Sequence, residues 1–271
     1  MPSQPWPDHR GATVALVTRH GKELVVRPAL ARAGLSLVHV DRDTDTLGTF
    51  SGDTRREGSA IDTARVKAAW ALADAPQARF GLASEGSFGP HPFVPWAAGG
   101  HELVLLIDRL TGVELRGDDV TGETNFGARD VTTHADAVEF ARDAGFPSHG
   151  VFVNRVLATV ETFDPMVSAG LERSAVRLET DMRAHHNPTR QASILRALER
   201  CLEALTSTCP ACAWPGFTVT EAQPGLPCED CGAPTRLATG RWTRCRHCQF
   251  STWTASAEAH APAGRCEECN P

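Results

Sequence analysis

The sequence predicts an α/β domain with a mixed, largely parallel sheet and flanking helices, followed by a small double zinc-ribbon domain. Three observations carry this. Short apolar runs alternate with helix-period stretches over the first two hundred or so residues. Eight of the nine cysteines fall after residue 208, as four C-x-x-C pairs. A chain of 271 residues holds one α/β domain of ordinary size plus an appendage. We read residues 1–10 as a flexible tail, 11–206 as the α/β domain and 207–271 as the ribbon.

Residues 12–18 (ATVALVT) read as a buried first strand that ends in the polar turn Thr18-Arg19-His20-Gly21-Lys22. A helical pattern leads on to Gly34, with Pro28 expected to kink or restart it. Residues 35–40 (LSLVHV) form a second strand, and the β-turn-α-β order predicts a right-handed crossover. The loop that follows carries Asp41, Asp43, Asp45 and Asp53, oxygen ligands suited to a hard cation such as Mg²⁺. It also carries Thr49, Ser51, Thr54, Arg55 and Arg56, which suit phosphate oxygens. A helix over 59–73 turns Ile61, Ala64, Ala68 and Ala71 inward, with Lys67 on its flank.

A strand over 79–84 runs into Ser84-Glu85-Gly86-Ser87-Phe88-Gly89-Pro90-His91, read as a binding loop because its small residues admit close approach. Residues 102–108 (ELVLLID) make a central strand, two shorter strands follow at 113–115 and around Val120, a helix covers 134–144, and a strand covers 151–157. In 176–182 the apolar residues Val176, Leu178, Thr180 and Met182 alternate with polar ones, the period of a strand with one apolar face. That register sets Glu179 and Asp181 on a common face with Arg183, His185 and Arg190 close behind. Asn187-Pro188 reads as the N-cap and first residue of a helix.

The pairs Cys209/Cys212, Cys228/Cys231, Cys245/Cys248 and Cys266/Cys269 are separated by 15, 13 and 17 residues, hairpin lengths between zinc knuckles. Eight thiolates fill two tetrahedral sites, leaving no open coordination position, so the implied zinc is structural. Two pairings remain open: sequential, giving tandem ribbons, or nested, with inner and outer pairs combined. Cys201 lies on the stripe Ile194, Leu198, Cys201, Leu202, Leu205 and reads as a buried structural thiol.

Composition removes some classes. No apolar run approaches a membrane span, and the first ten residues lack the apolar core of a signal peptide, so a cytoplasmic protein without membrane contact is expected. A net charge of −6 argues against broad, sequence-independent nucleic-acid binding. Lys22 and Lys67 are the only lysines among 27 basic residues. They are candidates for places where a guanidinium cannot replace an ammonium.

The ordered motifs GKE, GTFSGD, ASEGSFGPHP, ETDMRAHHNPTR and GLPCEDCGAPT resemble an uncharacterised bacterial family of domains of unknown function over nearly the whole chain. That resemblance implies no activity. Residues 12 to about 126 also resemble the inosine/xanthosine-triphosphate pyrophosphatase superfamily. The similarity rests on Thr18 through Lys22, on Thr54, Gly58 and Lys67, and on Gly81 through Gly86. The Thr-to-Lys spacing is one residue shorter here, and Ser84-Glu85 replaces paired aspartates.

The functional expectation is a metal-assisted phosphohydrolase or pyrophosphatase acting on a phosphorylated, nucleotide-like substrate. Thr18, His20, Lys22, Thr49, Ser51, Arg55, Lys67, Ser87, Asn187 and Arg190 would hold the substrate. Glu85, Glu179 and Asp181 would hold Mg²⁺ or Mn²⁺. His185 or His91 would move the proton, and Arg183 would complete the clamp with Arg190. The alternative is a non-enzymatic adaptor whose ribbon contacts protein or nucleic acid through Arg241, Trp242, Arg244, Arg246, His247, Phe250 and Trp253.

Overall fold

The computed structural model describes residues 6–48, 58–91 and 94–271. They divide into two compact units, residues 9–202 and residues 203–271, the latter together with the segment up to Asp8. Thr49, Ser51 and Arg55, with Asp53, Thr54 and Arg56, lie outside the described residues.

The first unit is built on a five-stranded mixed sheet. Its strands are β1 (Thr13–Val17), β2 (Ser36–Val40), β3 (Phe80–His91), β4 (Val94–Asp108) and β5 (Glu114–Thr121), in the order β2-β1-β3-β4-β5. β1 runs parallel to both of its neighbours, while β3–β4 and β4–β5 are antiparallel. The apolar run Val14–Val17 is buried, as its central place requires. Helix α1 (Lys22–Arg32) connects β1 to β2 and runs unbroken through Pro28, so it does not restart there. A missing amide hydrogen removes one helical bond, which an 11-residue helix tolerates here.

Helix α2 (Ala60–Asp74) starts at Ser59, whose hydroxyl accepts from the Asp62 amide, and buries Ala64, Ala68 and Ala71. It packs so closely on β3 that a Cβ at Gly81 would stand 2.4 Å from the Ala68 carbonyl oxygen. A glycine is therefore required there, and this contact fixes where α2 lies along the strand.

A second sheet, wholly antiparallel, has the order β6-β9-β7-β8. It comprises β6 (Ala128–Val131), β7 (Val151–Val153), β8 (Val156–Leu157) and β9 (Val176–Thr180). Helices α3 (His134–Ala144) and α4 (Val160–Leu171) share one apolar cluster with it, including Phe140, Val151, Phe163, Val167, Val176 and Leu178. Helix α5 (Pro188–Thr206) follows, opened by Asn187, whose Oδ1 accepts from the Arg190 amide.

Several boundaries differ from the sequence reading. The stretch 84–91, expected as a loop, is the outer half of β3, paired with β4. The residues after Val113 form one strand rather than two. The strand expected over 151–157 is a tight hairpin, turned by Asn154 and Arg155 at positive φ. β6 and α4 were not anticipated. Among the described residues no helix is long and apolar enough to cross a membrane.

The second unit holds an antiparallel meander, β10 (Val219–Pro224), β11 (Ala238–Arg244) and β12 (Ser251–Ala255). Trp6 packs its edge against Trp214 at 5.7 Å, so the described part of the N-terminal segment belongs with this unit.

Candidate functional site

In the first unit five ionisable side chains gather at the C-terminal edge of the parallel strands, the customary place for a site in an α/β sheet. Lys22 opens α1, Lys67 comes from α2, Glu85 from β3, Glu102 from β4 and Arg190 from α5. All are nine-tenths or more buried. Lys67 Nζ lies 2.5 Å from Glu85 Oε1. Arg190 Nε donates to Glu102 Oε1 at 2.6 Å, and another of its nitrogens donates to the Met182 carbonyl. Each carboxylate so has a cationic partner, while Glu102 Oε2 is buried without a hydrogen-bond partner among the described residues. Lys22 is different: its Nζ donates to the Ser84 carbonyl at 2.7 Å and meets Ser84 Oγ at 3.3 Å, both neutral groups.

The sheet register explains how so much charge fits. Gly86 stands opposite Glu102 across β3–β4, and opposed residues of an antiparallel pair project to the same face. A Cβ on Gly86 would lie 2.4 Å from Glu102 Oε1 and 2.7 Å from an Arg190 nitrogen. The missing side chain makes the room that the Arg190–Glu102 pair fills. Glu85, one residue earlier, projects to the other face, towards Lys67 on α2.

Burial pushes the Lys22 amine down to about 7. The Arg190 charge adds to this, Glu85 opposes it, Lys67 lowers it further and Glu102 opposes it last.

Around this cluster, Thr18 is buried and its hydroxyl accepts from the His20 amide at 3.2 Å. The His20 ring stacks on His185 at 5.5 Å, and His185 lies 4.0 Å from the His186 ring. Burial, followed by the charge of His185, holds His186 below the usual imidazole range. Arg190 also lies over the Phe88 ring at 5.3 Å.

Other residues expected at the site are engaged elsewhere. Asp181 is buried but gripped by its neighbour, accepting from Arg183 N at 2.9 Å and from Arg183 Nη2 at 2.7 Å. Glu179 does not share its setting: it projects to the exposed side of β9, 3.7 Å from Arg177. Glu85, Glu179 and Asp181 are therefore not brought together. Among the described residues no oxygen-ligand trio gathers to hold Mg²⁺ or Mn²⁺. His91 sits six residues beyond Glu85 on β3, roughly 20 Å along the strand. Ser87 lies on β3 opposite His101. Asn187 spends its amide on Asn125 and the Asp181 carbonyl and its oxygen on the α5 cap.

In the second unit the eight paired cysteines form two Cys₄ groups, Cys209/Cys212 with Cys245/Cys248 and Cys228/Cys231 with Cys266/Cys269. Both the sequential and the nested expectations are corrected, because the pairs interleave. The reason is parity. Consecutive knuckles are separated by single strands of a meander, so they alternate between its two ends, and first meets third while second meets fourth.

Within the groups, Sγ···Sγ separations are 3.7 and 3.6 Å in one and 3.9 and 3.6 Å in the other. A tetrahedron of thiolates at the zinc–sulfur distance has edges of about 3.8 Å. All four sulfurs of each group lie within 4.8 Å of one another, so either group could hold a metal ion. Three knuckles turn at a residue with positive φ after the second cysteine, Ala213, Gly232 and Gln249, each returning its amide to the first cysteine's carbonyl. Cys201 stands apart in α5, fully buried, its thiol pushed up to about 12 by burial, which suits an inert packing residue.

Residues 69–271 match the family model described as a domain of unknown function, DUF6671. The chain belongs to the DUF6671 family. No curated protein and no solved structure matches it. The matched segment of this DUF6671 protein includes Ser84, Glu85, Glu102, Arg190 and both Cys₄ groups, whereas Lys22 and Lys67 precede it.

Of the residues in this cluster, Glu102 escaped the sequence reading, and Ser84 entered it only as part of the loop expected at 84–91, with no role of its own. Glu102 carried one usable signal: a carboxylate at the head of a central apolar strand must find a buried partner. Ser84 carried none, because its role rests on a backbone carbonyl as much as on its side chain.

Proposed function

We propose that residues 9–202 bind the phosphate chain of a phosphorylated, nucleotide-like molecule and hydrolyse it, and that the cysteine-rich unit holds two structural zinc ions. The observation that carries the first part is Lys22. Its nitrogen is buried beside two ion pairs and has only neutral partners, so the cluster contains one basic side chain more than carboxylate. A phosphate oxygen is the natural counter-ion. Lys22 would bind the phosphate, Thr18 would accept or donate at its edge, and His20 or His185 would exchange the proton with attacking water or leaving group. Glu85 and Glu102 would hold Lys67 and Arg190 in place. Any Mg²⁺ or Mn²⁺ would arrive on the polyphosphate, as such ions commonly do. Saturated thiolate coordination supports structural zinc in a reducing compartment, in keeping with a cytoplasmic setting.

The test is release of phosphate or pyrophosphate from a panel of nucleoside triphosphates, with and without Mg²⁺. The wild-type protein is expected to hydrolyse at least one, and Lys22→Met to lower kcat/KM by about 100-fold or more. No release from any of them, by protein shown to be folded, refutes the hydrolase reading.

A further inference from the structure

We propose that above neutral pH the site takes up its anion together with one proton, which passes from solvent to Lys22 Nζ as the anion's oxygens arrive. The inference rests on the anion-binding reading above and deepens it. Three basic side chains and two carboxylates share the cluster, and each carboxylate already faces a cation, Glu85 with Lys67 at 2.5 Å and Glu102 with Arg190 at 2.6 Å. An ammonium buried without a counter-ion is costly, and the least costly escape is loss of its proton.

The partners of Lys22 serve both states. The Ser84 carbonyl, 2.7 Å away, accepts from an amine or an ammonium. The Ser84 hydroxyl, 3.3 Å away, can accept from the ammonium or turn to donate into the lone pair of the amine. The charged groups facing Lys22 come from each element around it: Arg190 on α5, Glu85 on β3, Lys67 on α2 and Glu102 on β4. Their combined effect, with burial the largest cause, places the amine at about 7, where a new negative charge decides its state. A guanidinium cannot release its proton at any ordinary pH. In a chain whose other basic residues are arginines, both lysines stand in this one cluster.

Calorimetry with inorganic sulfate tests this, because sulfate stays a dianion throughout and any proton taken up belongs to the protein. Titrations at about pH 8.5 in buffers of different ionisation enthalpy give the number of protons bound per anion. The expected result is an uptake approaching one proton, with affinity falling about tenfold per pH unit above that point. Lys22→Arg is expected to bind without uptake, and Lys22→Met not to bind. His185→Gln is expected to leave the uptake unchanged, which separates Lys22 from the neighbouring imidazoles. Sulfate binding by wild-type protein with no uptake overturns the coupling and leaves the anion site standing. Uptake that persists in Lys22→Met overturns the assignment to Lys22. Failure of the folded wild type to bind sulfate even at about pH 6 overturns the anion site itself.

Discussion

Chelating the metal from the intact protein is expected to release two ions per chain and to unfold residues 203–271 in a single transition, with residues 9–202 remaining folded. Among the described residues beyond 206, the buried ones are Cys209, Leu226, Cys228, Thr235, Gly240, Cys245, Ala261 and Cys266. Four of these are thiols of the Cys₄ groups. So thin an apolar core cannot offset the entropy of ordering the segment, whereas a structural zinc supplies about 10–16 kcal/mol of folding free energy. The interleaved pairing makes the transition cooperative, because β10, β11 and β12 each run between one centre and the other. Cys245→Ser and Cys266→Ser should each abolish the tryptophan fluorescence change that marks the folded meander, and elemental analysis should find both ions lost or weakened. Tandem ribbons would behave differently, since Cys266→Ser would then spare the half containing Cys209.

Replacing Lys22 by Met is expected to stabilise the protein by up to about 4 kcal/mol at about pH 6, while removing anion binding. The folded chain holds the amine at about 7, against an ordinary 10.5. Below 7 the lysine is protonated in both states, and the folded state bears the whole cost of the buried charge. Between 7 and 10.5 the unfolded chain binds more protons, so wild-type stability rises with pH and the advantage of Met shrinks, to about half by pH ~9. Above 10.5 both states are neutral and that advantage is gone. Urea unfolding of both proteins across this range measures the difference, and a gain that grows with pH would contradict the sign. Residues that bind ligands often cost stability in this manner.

Much of the scaffold was legible in the sequence because local chemistry dictates it. The apolar run at Val14 makes β1, Asn187-Pro188 caps α5, and the alternation through Val176, Leu178 and Thr180 makes β9. What escaped depends on distant partners. Residues 84–91 look like a loop because Gly86, Gly89 and Pro90 are poor strand formers, yet eight residues of β4 pair with them and hold them extended.

The two lysines could be marked as unusual, but not their surroundings. The meeting of Lys67 with Glu85 follows from how α2 settles on Gly81, and that of Arg190 with Glu102 from the space at Gly86. Glu179 and Asp181 were misplaced for a simpler reason: β9 ends at Thr180, so the alternation that would align them stops before Asp181. The cysteine pairing was within reach. Three strands between four knuckles force odd to pair with odd, but only once the strands are known to form a meander.

If Lys22 is a buried amine that waits for an anion, the chain offers a direct view of it. With only two lysines, the side-chain NMR signals of Lys22 are identified by comparison with Lys22→Met. The prediction is that its ε-methylene titrates near 7 and that added inorganic phosphate moves this midpoint upward. A midpoint near 10.5, unmoved by phosphate, would contradict it.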